Sequence, residues 1–267
     1  MKTKCEVCKK KEATDIHHKD KNHKNNKADN LQYLCTLCHA KIHGNDPKKS
    51  ELKRLINIRD RLIKTKNGIE NQQRGLSRIE YMMPESYSDD ITKYKKGIKE
   101  YEKYIDKEIK DNPMYVIGKD IKGVSSGTIG DLLAFADASL FDNTSKLWRY
   151  CGLDASHVKR TKGISEDEAK KYGSSIIKTK FLMIGDNFIR SKNKFASQMY
   201  NTEKEKQMNN PDVKTKLHAH NRARRKVTKI FLSAWYIKQR EVLGLEVTQP
   251  YPTRIGHNSI IKLEDFM

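Results

Sequence analysis

The chain has 267 residues, 36% hydrophobic and 33% charged, and its Lys and Arg (54) exceed its Asp and Glu (34) to give a net charge of +20 at neutral pH. That balance excludes one large apolar core and favours several small units on helical supports. It also predicts a polyanionic partner, because phosphate contacts by Lys and Arg release condensed counterions. No stretch approaches the roughly 18 apolar residues of a membrane span, so no membrane partner is expected.

The N-terminus, MKTKCEVC, lacks the apolar segment of a signal peptide. Five cysteines, four of them in C-x-x-C spacing, predict a reducing, cytoplasmic setting (the interior of a host cell) rather than a disulfide scaffold. Residues 1–46 read as a small metal domain. Cys5, Cys8, Cys35 and Cys38 have the spacing of one closed, tetrahedral structural Zn2+ site. Ala13 to His18 predicts a short strand, Lys19 to Asp29 a polar loop, and Asn30 to Leu34 a second strand. Thr36 to His43 predicts a short helix ended by Gly44 at the left-handed C′ position. A domain this short buries too little apolar surface to stand alone, and zinc ligation supplies the missing folding free energy.

The same stretch holds a second constellation. His39 and His43, at i and i+4, share one helix face and can point at a common centre with His17 from the end of the strand. Three imidazoles leave positions open for water and a phosphate oxygen, which separates a catalytic divalent-ion site (Mg2+ or Mn2+, with Ni2+ or Zn2+ as alternatives) from the closed cysteine site. His18 alternates to the other side of the strand. It is placed to take a proton from water, a role contributing about 10²–10⁴-fold. Asn30 can hold either the loop or the His18 imidazole. The plainer alternative is a structural zinc knuckle whose histidines carry no chemistry.

From Ser50 to about Asn112 the pattern is helical. Leu55, Leu62, Ile69, Leu76 and Met83 recur every seven residues, interrupted by Arg59, Lys66 and Gln73. After PESYSDD (84–90), Ile91, Tyr94, Ile98, Tyr101 and Ile105 alternate by three and four. Residues 47–112 therefore predict two long helices, forming an antiparallel hairpin or a coiled-coil pairing across a homodimer.

Asn112-Pro113 ends that segment and opens a third domain, 113–267. IKGVSSGTIGDLLAF (121–135) has a helix-hairpin-helix pattern, in which a tight turn at Gly123, Ser125 and Ser126 offers backbone N–H groups to phosphate. Residues 154–175 read as irregular and Ile176 to about Met199 as one helix. Lys214 to Lys229 holds Lys214, Lys216, Arg222, Arg224, Arg225, Lys226 and Lys229, seven bases and no acid in sixteen residues, followed by apolar residues at helical spacing. The absence of local acids predicts a phosphate-binding face. Cys151 reads as a core residue, and His218 and His220 (i, i+2) do not share a helix face. PYPTRIGHNSIIKLEDF carries no assigned role.

Taken together, C-x-x-C, D-I-H-H, D-N-L and L-C-x-x-C-H-x-x-x-H closely resemble the HNH endonuclease family over about the first 46 residues. The resemblance implies a ββα-metal core, His17 and His39 as metal ligands, His18 as general base, Asn30 as the middle letter of the motif and His43 as the last metal-site histidine. It implies cleavage of one strand per domain. From about residue 117 the chain resembles the C-terminal domain of insertion-sequence transposases of the IS-one-ten group, through the segments starting IKGVSSG, LHAHNRARRKV and PYPTRIGH. That second resemblance implies DNA binding, with RNA as an open alternative. The family's serine nucleophile has only Ser165 as a counterpart, in a setting (KRTKGISEDE) that departs from the pattern. The expectation is a mostly α-helical, metal-dependent DNA endonuclease or nickase of a mobile element or virus. A non-catalytic zinc-dependent nucleic-acid adaptor and a transposase-like recombinase are the alternatives.

Overall fold

A computed structural model of the chain describes residues 4–20, 22–43, 47–82, 84–154, 174–250, 256 and 261–267. The expected C′ position of Gly44, Met83 of the heptad series, and Lys162, Gly163 and Ser165 lie outside the described residues. The protein is mostly helical, with a small N-terminal β-hairpin beside a four-cysteine cluster. Its chain divides into two compact units, Met1–Arg54 and Leu55–Met267.

In the first unit, β1 (Asp15–His18) pairs antiparallel with β2 (Leu31–Leu34), Asp15 opposite Leu34 and His18 opposite Leu31. Helix α1 (Thr36–Ile42) follows at once, capped by Cys35 in extended conformation. Its core consists of Cys5, Cys35, Cys38 and Leu34, with Cys8 packed against them. An apolar nucleus of that size cannot offset the chain entropy of some fifty residues. Backbone geometry brings the first pair of cysteines round: Lys9 takes a left-handed φ of 54° and donates its N–H to the Cys5 carbonyl at 2.9 Å.

The second unit is built from helices. Of α2 (Pro47–Ser77), residues 55 onward belong here, and α3 (Ser86–Ile109) packs back on it. Leu62 reaches the backbone of Gly97, and Glu70 pairs with Lys95 at 3.9 Å. Of the residues that interrupt the heptad, Arg59 turns inward. Arg59 is buried, and its Nη2 donates to Asp60 at 2.7 Å and to Asp131 at 3.0 Å.

Asn112 ends one helix and starts the next: its side chain accepts from Met114 N–H, and Pro113 opens α4 (Pro113–Gly118). A turn then leads to α5 (Ser126–Phe135), capped by Ser125. At Gly130 a methyl group would come 2.7 Å from Ile105 Cγ2, so α3 and α5 approach more closely than any other residue permits. Helix α6 (Thr144–Tyr150) precedes the largest undescribed segment.

The single helix expected from Ile176 to Met199 is two: α7 (Ser175–Ser191) and α8 (Lys194–Met208). Asn193 breaks it. Its Oδ1 accepts from Ala196 N–H while its Nδ2 donates to the carbonyls of Lys122 and Phe266, and Lys192 turns left-handed with a φ of 55°. Apolar periodicity continues through the break, whereas the local polar competition that makes it depends on residues far away in sequence.

Helix α9 (Lys216–Val242) is the central post, burying Val227, Phe231, Leu232, Trp235 and Tyr236. The chain's last turn, Leu263–Phe266, inserts Phe266 among Phe188, Phe195 and Phe231, with ring centroids 5.0–5.4 Å apart. Each such ring stabilises the unit by about 1.5–3 kcal/mol through burial. The tail is thus part of the core. Cys151 is fully buried, as expected, and burial pushes its thiol up.

Candidate functional site

Two clusters that could hold a metal ion stand in the N-terminal unit. The thiol sulfurs of Cys5, Cys8, Cys35 and Cys38 lie within 4.8 Å of one another, with Cys8 and Cys35 at 3.9 Å. A tetrahedron of Zn–S bonds has edges of about 3.8 Å, so the donor set fits that ion. Burial alone would raise the Cys5 thiol, but backbone N–H groups of Cys8, Cys35 and Val7 outweigh it and bring it down to about 6. Burial beside three other sulfurs pushes Cys38 up to about 12. Four converging thiols cannot all ionise unless a cation compensates them, which is the chemistry of a structural zinc centre.

On the neighbouring surface, His17, His39 and His43 bring one ring nitrogen each within 4.8 Å of the others. His17 Nδ1 is 3.3 Å and His39 Nε2 is 3.1 Å from His43 Nε2. Octahedral or tetrahedral M–N bonds of about 2.1 Å require edges of roughly 3.0–3.4 Å, so the spacing suits one shared ion. The i, i+4 step on α1 supplies two donors and the end of β1 the third. Asp15, two residues before His17 and on the same side of the strand, accepts from His39 Nδ1 at 3.1 Å. That bond leaves Nε2 of His39 to face the cluster.

His18 points away from these three. Its Nε2 bonds to Asn26 Oδ1 at 3.1 Å, its ring lies 5.2 Å from that of His23, and its Nδ1 is buried without a hydrogen-bond partner. Asn30 does not reach the His18 imidazole. It holds the loop: Oδ1 accepts from Asp20 N–H at 3.0 Å, and Nδ2 donates to Asp20 Oδ1 at 2.9 Å and to the Asn25 carbonyl at 2.7 Å. Asp20 in turn accepts from Asn25 and from Asn22 N–H, and these bonds hold its carboxyl below the usual range. Two residues escaped the sequence reading. Asp15 could have been found from its strand alternation with His17; nothing in the Lys19–Asp29 stretch distinguishes Asn26 from its neighbours.

In the larger unit, a tight turn joins α4 to α5 where the helix-hairpin-helix pattern was expected. Gly123 has a φ of +98°, and a methyl group there would lie 2.6 Å from Ser191 Oγ. Glycine is required by the turn and by its close approach to α7. Ser125 is exposed, Ser126 half-buried, and Arg190 of α7 lies beside the turn.

The basic segment is less free than its sequence implies. Arg224 donates to Asp186 of α7 at 2.8 Å, Lys226 to Glu203 of α8 at 2.5 Å, and Arg222 to Gln207 and His218. Acids distant in sequence compensate what looked uncompensated. Lys214 and Lys216 are exposed, while Arg225 and Lys229 are half-buried. His220 bonds to the Tyr200 hydroxyl at 2.8 Å, and neither it nor His218 joins a metal cluster among the described residues.

Near α5, Arg59, Asp60, Asp131 and Lys180 form a four-charge network, Lys180 reaching Asp131 at 2.9 Å and Asp60 at 2.6 Å. It borders a cavity of about 580 Å³. Its two positive and two negative charges cancel, so it ties α2, α5 and α7 together. No helix among the described residues is long and apolar enough to cross a membrane. No protein-family model matches the chain, and no curated protein matches it.

Proposed function

We propose that the N-terminal unit is an HNH-type centre that hydrolyses phosphodiester bonds of DNA with a divalent cation, and that the larger unit holds the nucleic acid. The observation that carries this reading is the division of labour on one hairpin. Three imidazole nitrogens converge on one side of β1, while His18 occupies the other side with its Nε2 near the surface. A cation held by His17, His39 and His43 would supply positive charge against the negative charge that grows on the phosphoryl oxygens.

The chain's own residues do the rest. Once Asn26 gives up its contact with Nε2 and that nitrogen holds a lone pair, His18 takes a proton from water as the water oxygen forms its bond to phosphorus. The bridging P–O bond breaks, and the departing oxygen takes a proton from solvent. Asn30 holds the loop in which Asn26 and His23 lie against the His18 ring. Asp15 fixes the tautomer of His39.

Incubating the full-length protein with supercoiled plasmid and Mg2+ or Mn2+ tests the proposal. Open-circular product that chelation abolishes is expected; unchanged plasmid with every divalent metal, under conditions where the protein binds it, rejects the nuclease. The second reading is a non-catalytic adaptor stiffened by zinc. One observation favours it: Asn26 already occupies the His18 nitrogen that water would need.

A further inference from the structure

The basic residues of α9 divide into two groups by what surrounds them. Arg224 and Lys226 are spent on Asp186 and Glu203. Between them in sequence, Arg225 has no hydrogen bond or ion pair among the described residues, and its Nε is buried without a partner. One turn later, Lys229 places its Nζ 4.0 Å over the ring of Trp148, and Trp148 Nε1 donates to the Lys229 carbonyl at 3.1 Å. The aromatic face therefore fixes the direction of a lysine that has no ion pair among the described residues.

Lys178, in the first turn of α7, is half-buried and has no ion pair among the described residues. Burial first and then Arg225 push the Lys178 ammonium down. Burial, Arg222 and Arg224 do the same to Arg225. Burial followed by Arg225 lowers Lys229, and Asp154 opposes the shift. Arg225 repels both Lys178 and Lys229, and half-buried like charges are costly in the free protein. A bound anion removes that cost and satisfies the stranded guanidinium.

We propose that Lys178, Arg225 and Lys229 form a phosphate seat for the nucleic-acid backbone, and that Arg224 and Lys226 are internal struts that never touch it. The planar guanidinium can grip one phosphate through two N–H groups, while the two ammonium groups act as point charges beside it. A surface that only needed solubility would leave its lysines extended into water, as Lys214 and Lys216 are. The assignment rests on the nucleic-acid reading above, but it does not depend on cleavage.

The test uses the zinc-loaded full chain without added Mg2+ or Mn2+, so that nothing is cut, with a fluorescent DNA duplex titrated at several salt concentrations. Arg225→Gln should reduce the slope of log K against log salt by about 0.9, the share of one phosphate, and Lys178→Gln and Lys229→Gln should each lower it in the same direction. Arg224→Gln should leave the slope alone and lower the melting temperature. In parallel, pyrophosphate should raise the melting temperature of the wild type and not of Arg225→Gln, whose own stability without anion should match or exceed wild type. Unchanged slopes in the three glutamine variants, with duplex binding intact, overturn the seat. If the duplex does not bind but pyrophosphate stabilises through Arg225, the anion site stands and the DNA reading falls. If neither ligand has an effect, both fall.

Discussion

Asp15 Oδ2 accepts a hydrogen bond from His39 Nδ1 at 3.1 Å, and the other nitrogen of that ring lies 3.1 Å from His43 Nε2. One carboxylate thereby decides which face of His39 is available to a cation. Replacing such a partner weakens metal binding by about 10–100-fold in comparable sites. Asp15→Asn should do so at the histidine cluster, measured by titration with Co2+ or Ni2+, while the zinc content of the cysteine cluster stays the same.

The cysteine cluster anchors the apolar core of its unit, since among the described residues Leu34 is the one non-cysteine buried within that cluster. Zinc in such domains contributes about 10–16 kcal/mol of apparent binding free energy. Cys38→Ser, or a strong chelator, should release one zinc per chain and abolish the chemical-shift dispersion of residues in the β-hairpin. The helices of the larger unit should keep their circular dichroism.

Asp131 is buried and accepts from both Arg59 and Lys180. Asp131→Asn leaves two buried cations sharing Asp60 alone. Breaking such a network costs about 3–5 kcal/mol, which urea unfolding should register. Lys146→Ala removes a partner from Asp142 on an exposed surface and should cost about 0–1 kcal/mol.

The Asp20 carboxyl is depressed by Asn25, then by Asn22 N–H, with Asn30 adding to it. A depressed carboxylate contributes stability that is complete above its unfolded value, about 3.9, and that is lost as the pH falls through the lower folded value. Amide exchange at Asn22 and Asp20, taken relative to the intrinsic rate at each pH, should therefore stay slow at neutral pH and accelerate only below about pH 4. Asn30→Ala should accelerate it at every pH.

Local spacing made the two clusters legible. Two C-x-x-C pairs and two histidines at i and i+4 are local spacings, and their gathering into two clusters follows once β1 and β2 pair. What sequence could not show is long-range compensation. Lys214 to Lys229 contains no acid, yet Asp186 and Glu203 reach it from α7 and α8. Arg59 was visible as a base on an apolar stripe; that its partner would be Asp131 was not. The break at Lys192 and Asn193 likewise depends on the carbonyls of Lys122 and Phe266. The role of Asn30 shows the same limit, since loop and imidazole were equally in reach until the fold assigned it to the loop.

Single-turnover cleavage by His18→Ala, with DNA affinity measured on the same preparation, tests the central claim most directly. The account predicts a fall in rate of at least about 10²-fold, with duplex binding and bound metal unchanged. Wild-type cleavage by that variant would contradict it.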